Sequence, residues 1–142
     1  MEVIESGMVV PCEETPKHKL WLSNLDLTLG LRDHTPIFYL YRPNGSSDFF
    51  AVETLKAALS KALVHFYPLA GRLEIGIDGR IELDCTGDGA LFNVVRSEAS
   101  VDEFGGFVPS QEMRQVLLPT VESSEPPCTI LLIQVCVQFQ FT

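Results

Sequence analysis

The chain has 142 residues, the usual length of one domain, and its balance of 46% hydrophobic to 20% charged residues excludes disorder as the default state. Nineteen acidic residues outnumber ten basic ones, so the formal net charge is −9 and binding to nucleic acid is not expected. Glu2 and Glu5 stand where a secretory signal needs positive charge, and no apolar run is long enough to cross a bilayer. We therefore expect a cytoplasmic protein without a membrane partner.

The first 45 residues predict two strands separated by an irregular stretch. Residues 8–11 form a short apolar run that ends at a proline, and residues 21–31 favour a loop with at most a short turn. Residues 36–42 are mostly aromatic and aliphatic, and the turn signal Pro-Asn-Gly follows at residues 43–45. This pattern predicts a strand in which alternate side chains share a face.

Residues 52–66 predict a long amphipathic helix, because their apolar side chains recur with the helical period. Ser47 or Asp48 is the expected N-terminal cap, and Pro68 lies beyond the end. The expected apolar face consists of Val52, Leu55, Leu59, Ala62, Leu63 and Phe66.

Alternating segments follow the helix. Residues 72–77 and 80–84 predict a hairpin, with Asp78-Gly79 as a type I′ turn, and residues 90–95 predict a further strand. Residues 128–141 carry no charge and predict a strand whose first half is apolar enough to be buried on both faces.

The order of these elements predicts the fold class. Residues 99–104 favour a helical turn, broken by the glycines that follow. Strand, helix, hairpin, strand, irregular stretch and strand then succeed one another along the chain. That order predicts an α/β or α+β protein built around a mixed sheet.

The cysteines do not form a metal-binding or redox pattern, because no two stand in a CxxC pair. We interpret them as unreactive free thiols and expect neither a metal nor a bound cofactor. The four are Cys12, Cys85, Cys128 and Cys136.

The histidines differ in context. His34 directly precedes the strand predicted over residues 36–42, where a pocket can open at the strand mouth. His65 lies near the C-terminal end of the predicted helix, where a positively charged side chain interacts favourably with the helix dipole. His18 lies in a polar stretch. Only His34 is a candidate site residue from its position.

One segment carries a specific resemblance to a known family. Residues 66–73, Phe-Tyr-Pro-Leu-Ala-Gly-Arg-Leu, resemble the "YPLAGRL" segment of the plant BAHD acyltransferases, which move acyl groups from coenzyme A thioesters to alcohols or amines. The pattern is most similar to the hydroxycinnamoyl transferase branch. Further matching segments are Thr15-Pro16, residues 22–26, His34-Thr35-Pro36, residues 81–85 with Gly89 and Phe92, and residues 131–135.

The resemblance implies the N-terminal part of a chloramphenicol-acetyltransferase-like fold. Residues 1–142 would be an incomplete N-terminal acyltransferase domain that ends before the family's HxxxD motif. Within the matched segment, Pro68 and Gly71 predict a sharp turn from helix to strand, and Arg72 predicts a buried ion pair.

The resemblance also implies site residues. The family uses the histidine of HxxxD as general base, and neither that motif nor the later DFGWG segment occurs here, so no catalytic residue is assigned and the chain alone is expected to be inactive. His34, Ile37 and Tyr39 match positions that face the acceptor and the acyl group. Shikimate-type enzymes usually have serine where this chain has Ile37, which leaves an amine acceptor such as a polyamine open.

The resemblance implies an acyl-CoA donor as co-substrate, a small hydroxyl or amine acceptor, and the remainder of an enzyme chain as partners. One alternative is a truncated non-catalytic protein that binds a small aromatic ligand, or a protein through an open sheet edge. Another is an unrelated α+β scaffold. An HxxxD motif within a few tens of residues after 142 would favour the enzyme.

Overall fold

The computed structural model describes residues 2–30, 34–42, 44–97, 111, 114, 117–119 and 126–136. Within these ranges no helix is long and apolar enough to cross a membrane. The elements in chain order are β1 (Glu2–Val9), β2 (Lys19–Trp21), α1 (Asn24–Gly30), α2 (Val52–His65), a 3-10 helix (Tyr67–Ala70), β3 (Arg72–Ile75), β4 (Ile81–Asp84), β5 (Ala90–Arg96), β6 (Cys128–Thr129) and β7 (Leu132–Cys136).

The described strands form two sheets. In the first, of order β1-β5-β7, the central β5 runs antiparallel to β1 and parallel to β7. In the second, of order β2-β4-β3-β6, every pair is antiparallel. The expected α/β class with a mixed sheet is therefore confirmed.

The core lies between α2 and the three-stranded sheet. Leu63 of α2 is 1% exposed and clusters with Ala70 and Ala90, while Phe92 and Val94 of β5 form a second cluster. The helix thus buries an apolar stripe against the sheet, as its periodicity predicts. Val52, Leu55 and Leu59 complete the packing.

Two details of the helix differ from expectation. The buried face of α2 is narrower than the predicted apolar face, since Ala62 and Phe66 are exposed. Neither Ser47 nor Asp48 caps α2 with its side chain; the cap position is Ala51, whose backbone N–H donates to the Asp48 carbonyl oxygen at 3.0 Å. A backbone turn therefore starts the helix where a side-chain cap is predicted.

The prediction of a strand over residues 36–42 is wrong, because this segment lies outside both sheets. Aromatic and β-branched composition describes a side chain's fit to a pleated surface, whereas a strand also needs a partner backbone. The first strand, predicted at residues 8–11, instead occupies Glu2–Val9, where β5 supplies that partner.

The loop predicted over residues 21–31 is also wrong, since it contains the end of β2 and all of α1. A capping box starts α1: the Ser23 N–H donates to Asp26 Oδ2 at 2.8 Å, and the Asp26 N–H donates to Ser23 Oγ at 3.2 Å. This reciprocal pair satisfies two donors that a helix start leaves open.

The hairpin is confirmed, but its turn is not type I′. Of the turn residues only Gly79 has a positive φ, 79°, whereas type I′ needs two. The Gly79 N–H donates to the Gly76 carbonyl oxygen at 2.9 Å, and the Gly76 N–H donates to that of Arg80 at 2.7 Å. The loop is therefore three residues long, with glycine in the left-handed position.

The strand predicted at residues 90–95 is confirmed as β5. The uncharged strand predicted at residues 128–141 is divided, because β6 pairs with β3 in one sheet and β7 pairs with β5 in the other. Residues 137–141 lie outside the described part of the chain, as does the helical turn predicted at residues 99–104.

The connection from the 3-10 helix into β3 is a close backbone contact. A Cβ atom at Gly71 would overlap the Asp84 carbonyl oxygen and lie 3.1 Å from that of Pro68. The φ of Gly71 is −90°, so this contact, and not a left-handed backbone, requires glycine. The sharp turn predicted at this position is confirmed.

The Arg72 guanidinium holds this connection in place. Its Nη1 donates to the carbonyl oxygens of Gly71 at 2.7 Å and Gly89 at 2.8 Å, so the hydrogen bonds seen in the structure replace the predicted ion pair. The Gly89 N–H in turn donates to the Ala70 carbonyl oxygen at 3.0 Å. Arg72 therefore ties the start of β3 to the approach to β5.

Cys12, Cys85 and Cys128 are free thiols, as expected, and differ in exposure. Cys85 is 1% exposed and Cys128 is 8% exposed, and burial raises the pKa of both thiols. The Asp84 carboxylate further raises the pKa of Cys85, whereas Arg72 partly offsets the effect at Cys128. Cys12 is exposed.

Replacing Gly71 with alanine is expected to lower the free energy of unfolding by about 1–3 kcal/mol, because the new Cβ overlaps the Asp84 carbonyl oxygen. Urea denaturation measures the change. Gly7→Ala is the matched control: a Cβ there meets no atom within 4 Å, so stability should change by less than about 0.5 kcal/mol. Equal midpoints for the two variants would contradict the contact.

Alkylation at neutral pH should modify Cys12 well before Cys85 and Cys128. The buried thiols combine a raised pKa with low access, and only the thiolate reacts. Mass spectrometry of peptides from partly labelled protein gives the order. Adding denaturant should remove the difference, and labelling of Cys85 at the rate of Cys12 in the folded protein would count against it.

Candidate functional site

His34 is held by the second sheet. Its side chain is half-buried, and Nε2 donates to the Thr129 carbonyl oxygen at 2.8 Å. Thr129 belongs to β6 and pairs with Arg72 of β3. Because a neutral imidazole has one donor and one acceptor nitrogen, this bond leaves Nδ1 as the acceptor.

Ile37 and Tyr39 lie on an open surface, 69% and 74% exposed. Phe38 and Leu40 are also exposed, at 40% and 47%, so the segment does not have the one buried face that the predicted strand would have. Both candidate side chains are therefore accessible to a small molecule. The described contacts do not bring them against His34, which lies three residues before Ile37.

Four aromatic side chains lie in contact one after another, and we name them the aromatic row: Tyr39, Tyr41, Phe50 and Phe49. The ring centroids of Tyr39 and Tyr41 are 6.4 Å apart, those of Tyr41 and Phe50 are 4.9 Å apart, and those of Phe50 and Phe49 are 4.8 Å apart. These separations suit tilted aromatic pairs. The row provides adjacent flat apolar faces.

Phe50 joins the aromatic row to the core. Its φ is 54°, in the left-handed region that bulky residues rarely adopt, and its side chain packs against the cluster of Phe92, Val94 and Val135. An unusual backbone conformation is kept only where the surroundings enforce it. The sequence does not single out Tyr41, Phe49 and Phe50 as candidate site residues, because their aromatic character is their only signal.

The other two histidines lie elsewhere. His18 and Tyr67 make an edge contact with ring centroids 5.7 Å apart, and His65 is the exposed last residue of α2.

A shallow open depression of about 460 Å³ is lined by Lys19, Ile77, Asp78 and Glu82, and its lysine is paired with Glu82 at 3.5 Å. The depression does not include the candidate residues.

Among the described residues, no three histidine, cysteine or carboxylate side chains come together as metal ligands. The arrangement that remains is a hydrogen-bonded histidine followed by exposed apolar and aromatic side chains. It can orient a polar group through Nδ1 and cover an aromatic group, but it has no paired nucleophile and base.

Comparisons with known proteins place this geometry in a family. The sequence pattern of the Transferase family matches residues 1–140. The chain is 54% identical over 125 residues to a shikimate O-hydroxycinnamoyltransferase of Nicotiana tabacum, a match that covers 88% of this chain and 28% of the relative. It is 50% identical over 125 residues to putrescine hydroxycinnamoyltransferase 1 of Oryza sativa subsp. japonica, covering 86% and 28%.

A solved structure supports the fold. The crystal structure of vinorine synthase matches with a TM-score of 0.53 and 24% identity, covering 95% of this chain and 34% of the other. This likeness confirms the expected N-terminal part of the chloramphenicol-acetyltransferase-like fold. The chain spans under a third of the length of those two curated relatives. Because the family pattern extends over nearly every residue, the chain belongs to the Transferase family, the BAHD acyltransferases.

Proposed function

We propose that residues 1–142 form one wall of an acyltransferase site that moves a hydroxycinnamoyl group from a coenzyme A thioester to a hydroxyl or amine acceptor. The observation that carries the proposal is His34, fixed by the Thr129 carbonyl oxygen just before an exposed aromatic segment. The names of the relatives, which include shikimate and putrescine hydroxycinnamoyltransferases, support the donor class.

The aromatic row suits the acyl group of the donor. A hydroxycinnamoyl group is a flat ring with a phenolic hydroxyl, and Tyr39 offers a flat ring with a hydroxyl at its tip. Tyr39 is 74% exposed, so a ligand can reach both features. The acyl-CoA is a co-substrate that is consumed and not a resident cofactor.

The general base lies outside these residues. None of His18, His34 and His65 is followed by aspartate at the spacing of HxxxD, which is the family's source of the base. We place the base in the remainder of an enzyme chain to which residues 1–142 contribute the N-terminal part. The base takes the acceptor's proton, the acceptor oxygen or nitrogen bonds to the thioester carbonyl carbon, and the carbon–sulfur bond breaks to release coenzyme A, which takes up the proton.

His34 then acts as an orienting group. With Nε2 bound to Thr129, its Nδ1 can accept a hydrogen bond from an acceptor hydroxyl or amine. Ile37 offers no hydrogen bond, so the acceptor makes an apolar contact at that position. A linear amine tolerates such a contact better than a polyhydroxylated ring, whose hydroxyl would lose a partner.

The competing function is non-catalytic binding. The exposed end of the aromatic row, Tyr39 and Tyr41, favours a small aromatic ligand. Strand β1, exposed along most of its length at the end of its sheet, favours a protein partner. Transferase activity of the polypeptide that includes an HxxxD histidine supports the enzyme. Tight binding of a hydroxycinnamate by that polypeptide without turnover would support the competing function.

His34 should adopt the Nε2–H tautomer, because Nε2 donates to a carbonyl oxygen. Two-bond nitrogen–proton correlations of the imidazole in ¹⁵N-labelled protein distinguish the two tautomers. His65, exposed at the helix end, serves as the internal reference for an imidazole in solvent. A proton on Nδ1 of His34 would contradict the proposed acceptor role.

Two substitutions test the pocket wall in the polypeptide that carries the general base. Tyr39→Phe should lower kcat/KM for a hydroxycinnamoyl donor, since it removes one hydrogen-bonding hydroxyl. The expected loss of transition-state stabilisation is about 1–1.5 kcal/mol. Ile37→Ser should shift preference from putrescine toward shikimate, because serine supplies a hydrogen bond to a ring hydroxyl.

Matched controls make the same chemical changes elsewhere. Tyr67→Phe alters a tyrosine that contacts His18, and Ile77→Ser alters a fully exposed residue of the hairpin loop. Both should leave kcat/KM and the acceptor ratio unchanged. Unchanged kinetics in Tyr39→Phe and Ile37→Ser as well would remove this segment from the site.

A further inference from the structure

Residues 35–42 carry two of the candidate side chains, Ile37 and Tyr39, and have few polar attachments to the rest of the fold. They lie outside both sheets, and no hydrogen bond joins them to another described residue. Just before them, His34 Nε2 donates to the Thr129 carbonyl oxygen at 2.8 Å. Among the described residues, the segment beyond His34 is therefore held by contacts between side chains.

Phe50 supplies such contacts through its ring. The Phe50 ring centroid lies 4.9 Å from that of Tyr41, and the Tyr41 ring centroid lies 6.4 Å from that of Tyr39. Both separations lie in the range of interacting aromatic pairs. Phe50 also packs against the core cluster that contains Phe92 and Val94. An unbroken series of side-chain contacts therefore joins the core to Tyr39.

The backbone at Phe50 is fixed by the turn that leads into α2. The Ala51 N–H donates to the Asp48 carbonyl oxygen at 3.0 Å, so Phe50 is the third residue of a four-residue turn, and its φ is 54°. Glycine or asparagine normally supplies a positive φ at this position of a turn. The packing of the Phe50 side chain against the core offsets the cost of its left-handed backbone. The fold therefore fixes the ring against which Tyr41 packs.

The geometry points to Phe50 as a positioning residue for Tyr39. Phe50 holds the Tyr41 ring, and Tyr41 in turn limits where the Tyr39 ring and the backbone between the two tyrosines can lie. Tyr39 and Tyr41 are exposed, so the anchored pair presents flat faces to an aromatic ligand. The consequence for donor binding rests on the proposed function, in which that ligand is the hydroxycinnamoyl group.

Three substitutions separate the Phe50 ring from its apolar bulk. Phe50→Leu keeps an apolar side chain against the core and removes the ring that contacts Tyr41, whereas Phe50→Tyr keeps the ring. Phe49→Leu is the matched control. It makes the same change at the neighbouring residue, which is also half-buried and lies at the end of the aromatic row away from Tyr39.

Backbone order in the intact chain tests the positioning role without any activity. Relaxation of ¹⁵N gives order parameters for the amides of Ile37 and Tyr39, about 0.85 for a rigid backbone and below about 0.6 for a flexible one. We expect rigid values in the unaltered chain and in Phe50→Tyr, lower values in Phe50→Leu, and no change in Phe49→Leu. Order parameters do not respond to ring currents, so the missing ring cannot itself produce the change.

Donor binding is measured in the polypeptide that carries the general base. Phe50→Leu should raise the Kd of a hydroxycinnamoyl-CoA thioether analogue about 2- to 10-fold, the range expected for one aromatic contact. The Kd of coenzyme A, which lacks the acyl ring, should stay the same. A general loss of folded protein would affect both ligands alike, so the ratio of the two Kd values isolates the acyl group.

Unchanged order parameters at Ile37 and Tyr39 in folded Phe50→Leu overturn the inference, as do flexible values in the unaltered chain or an equal change in Kd for both ligands. If Phe50→Leu fails to fold, Tyr41→Leu at an exposed position must lower the same order parameters, and unchanged values overturn the inference. Lowered order parameters with a changed Kd ratio, in a polypeptide without transferase activity, support the positioning role and contradict the proposed function.

Discussion

The contact at the start of β3 is the constraint on which the candidate site depends. Gly71 lets the backbone approach the Asp84 carbonyl oxygen, and Arg72 donates to the carbonyl oxygens of Gly71 and Gly89. Together they set the register in which β3 pairs with β4 on one side and β6 on the other. That register places Thr129 opposite Arg72, and the Thr129 carbonyl oxygen holds His34. The contacts of Gly71 and Arg72 in the matched YPLAGRL segment therefore support, through β6, the strand that holds His34.

Local patterns predicted the elements that local interactions decide. Helix α2 follows from its apolar period, and the hairpin follows from two alternating runs and a glycine turn. Residues 36–42 have strand composition but lie outside the sheets, because pairing is decided by distant segments such as β1 and β5. The capping box of α1 is also a local signal, carried by Ser23 and Asp26, although residues 21–31 were predicted to form a loop.

The site was predictable only in part. Resemblance to the family predicts His34, Ile37 and Tyr39 as candidates, yet the bond from His34 to Thr129 joins residues 95 positions apart and has no sequence signature. The aromatic row depends on the left-handed backbone of Phe50, which composition does not indicate for a bulky residue.

The most direct measurement is a crystal structure of the polypeptide that carries the HxxxD histidine, bound to a hydroxycinnamoyl-CoA analogue with an unreactive thioether and to an acceptor. We expect the acceptor's polar group within hydrogen-bond distance of His34 Nδ1, with Nε2 still bound to Thr129. The aromatic ring of the acyl group should contact Tyr39, which is open to solvent in this structure. Both ligands bound away from residues 34–41 would contradict the account.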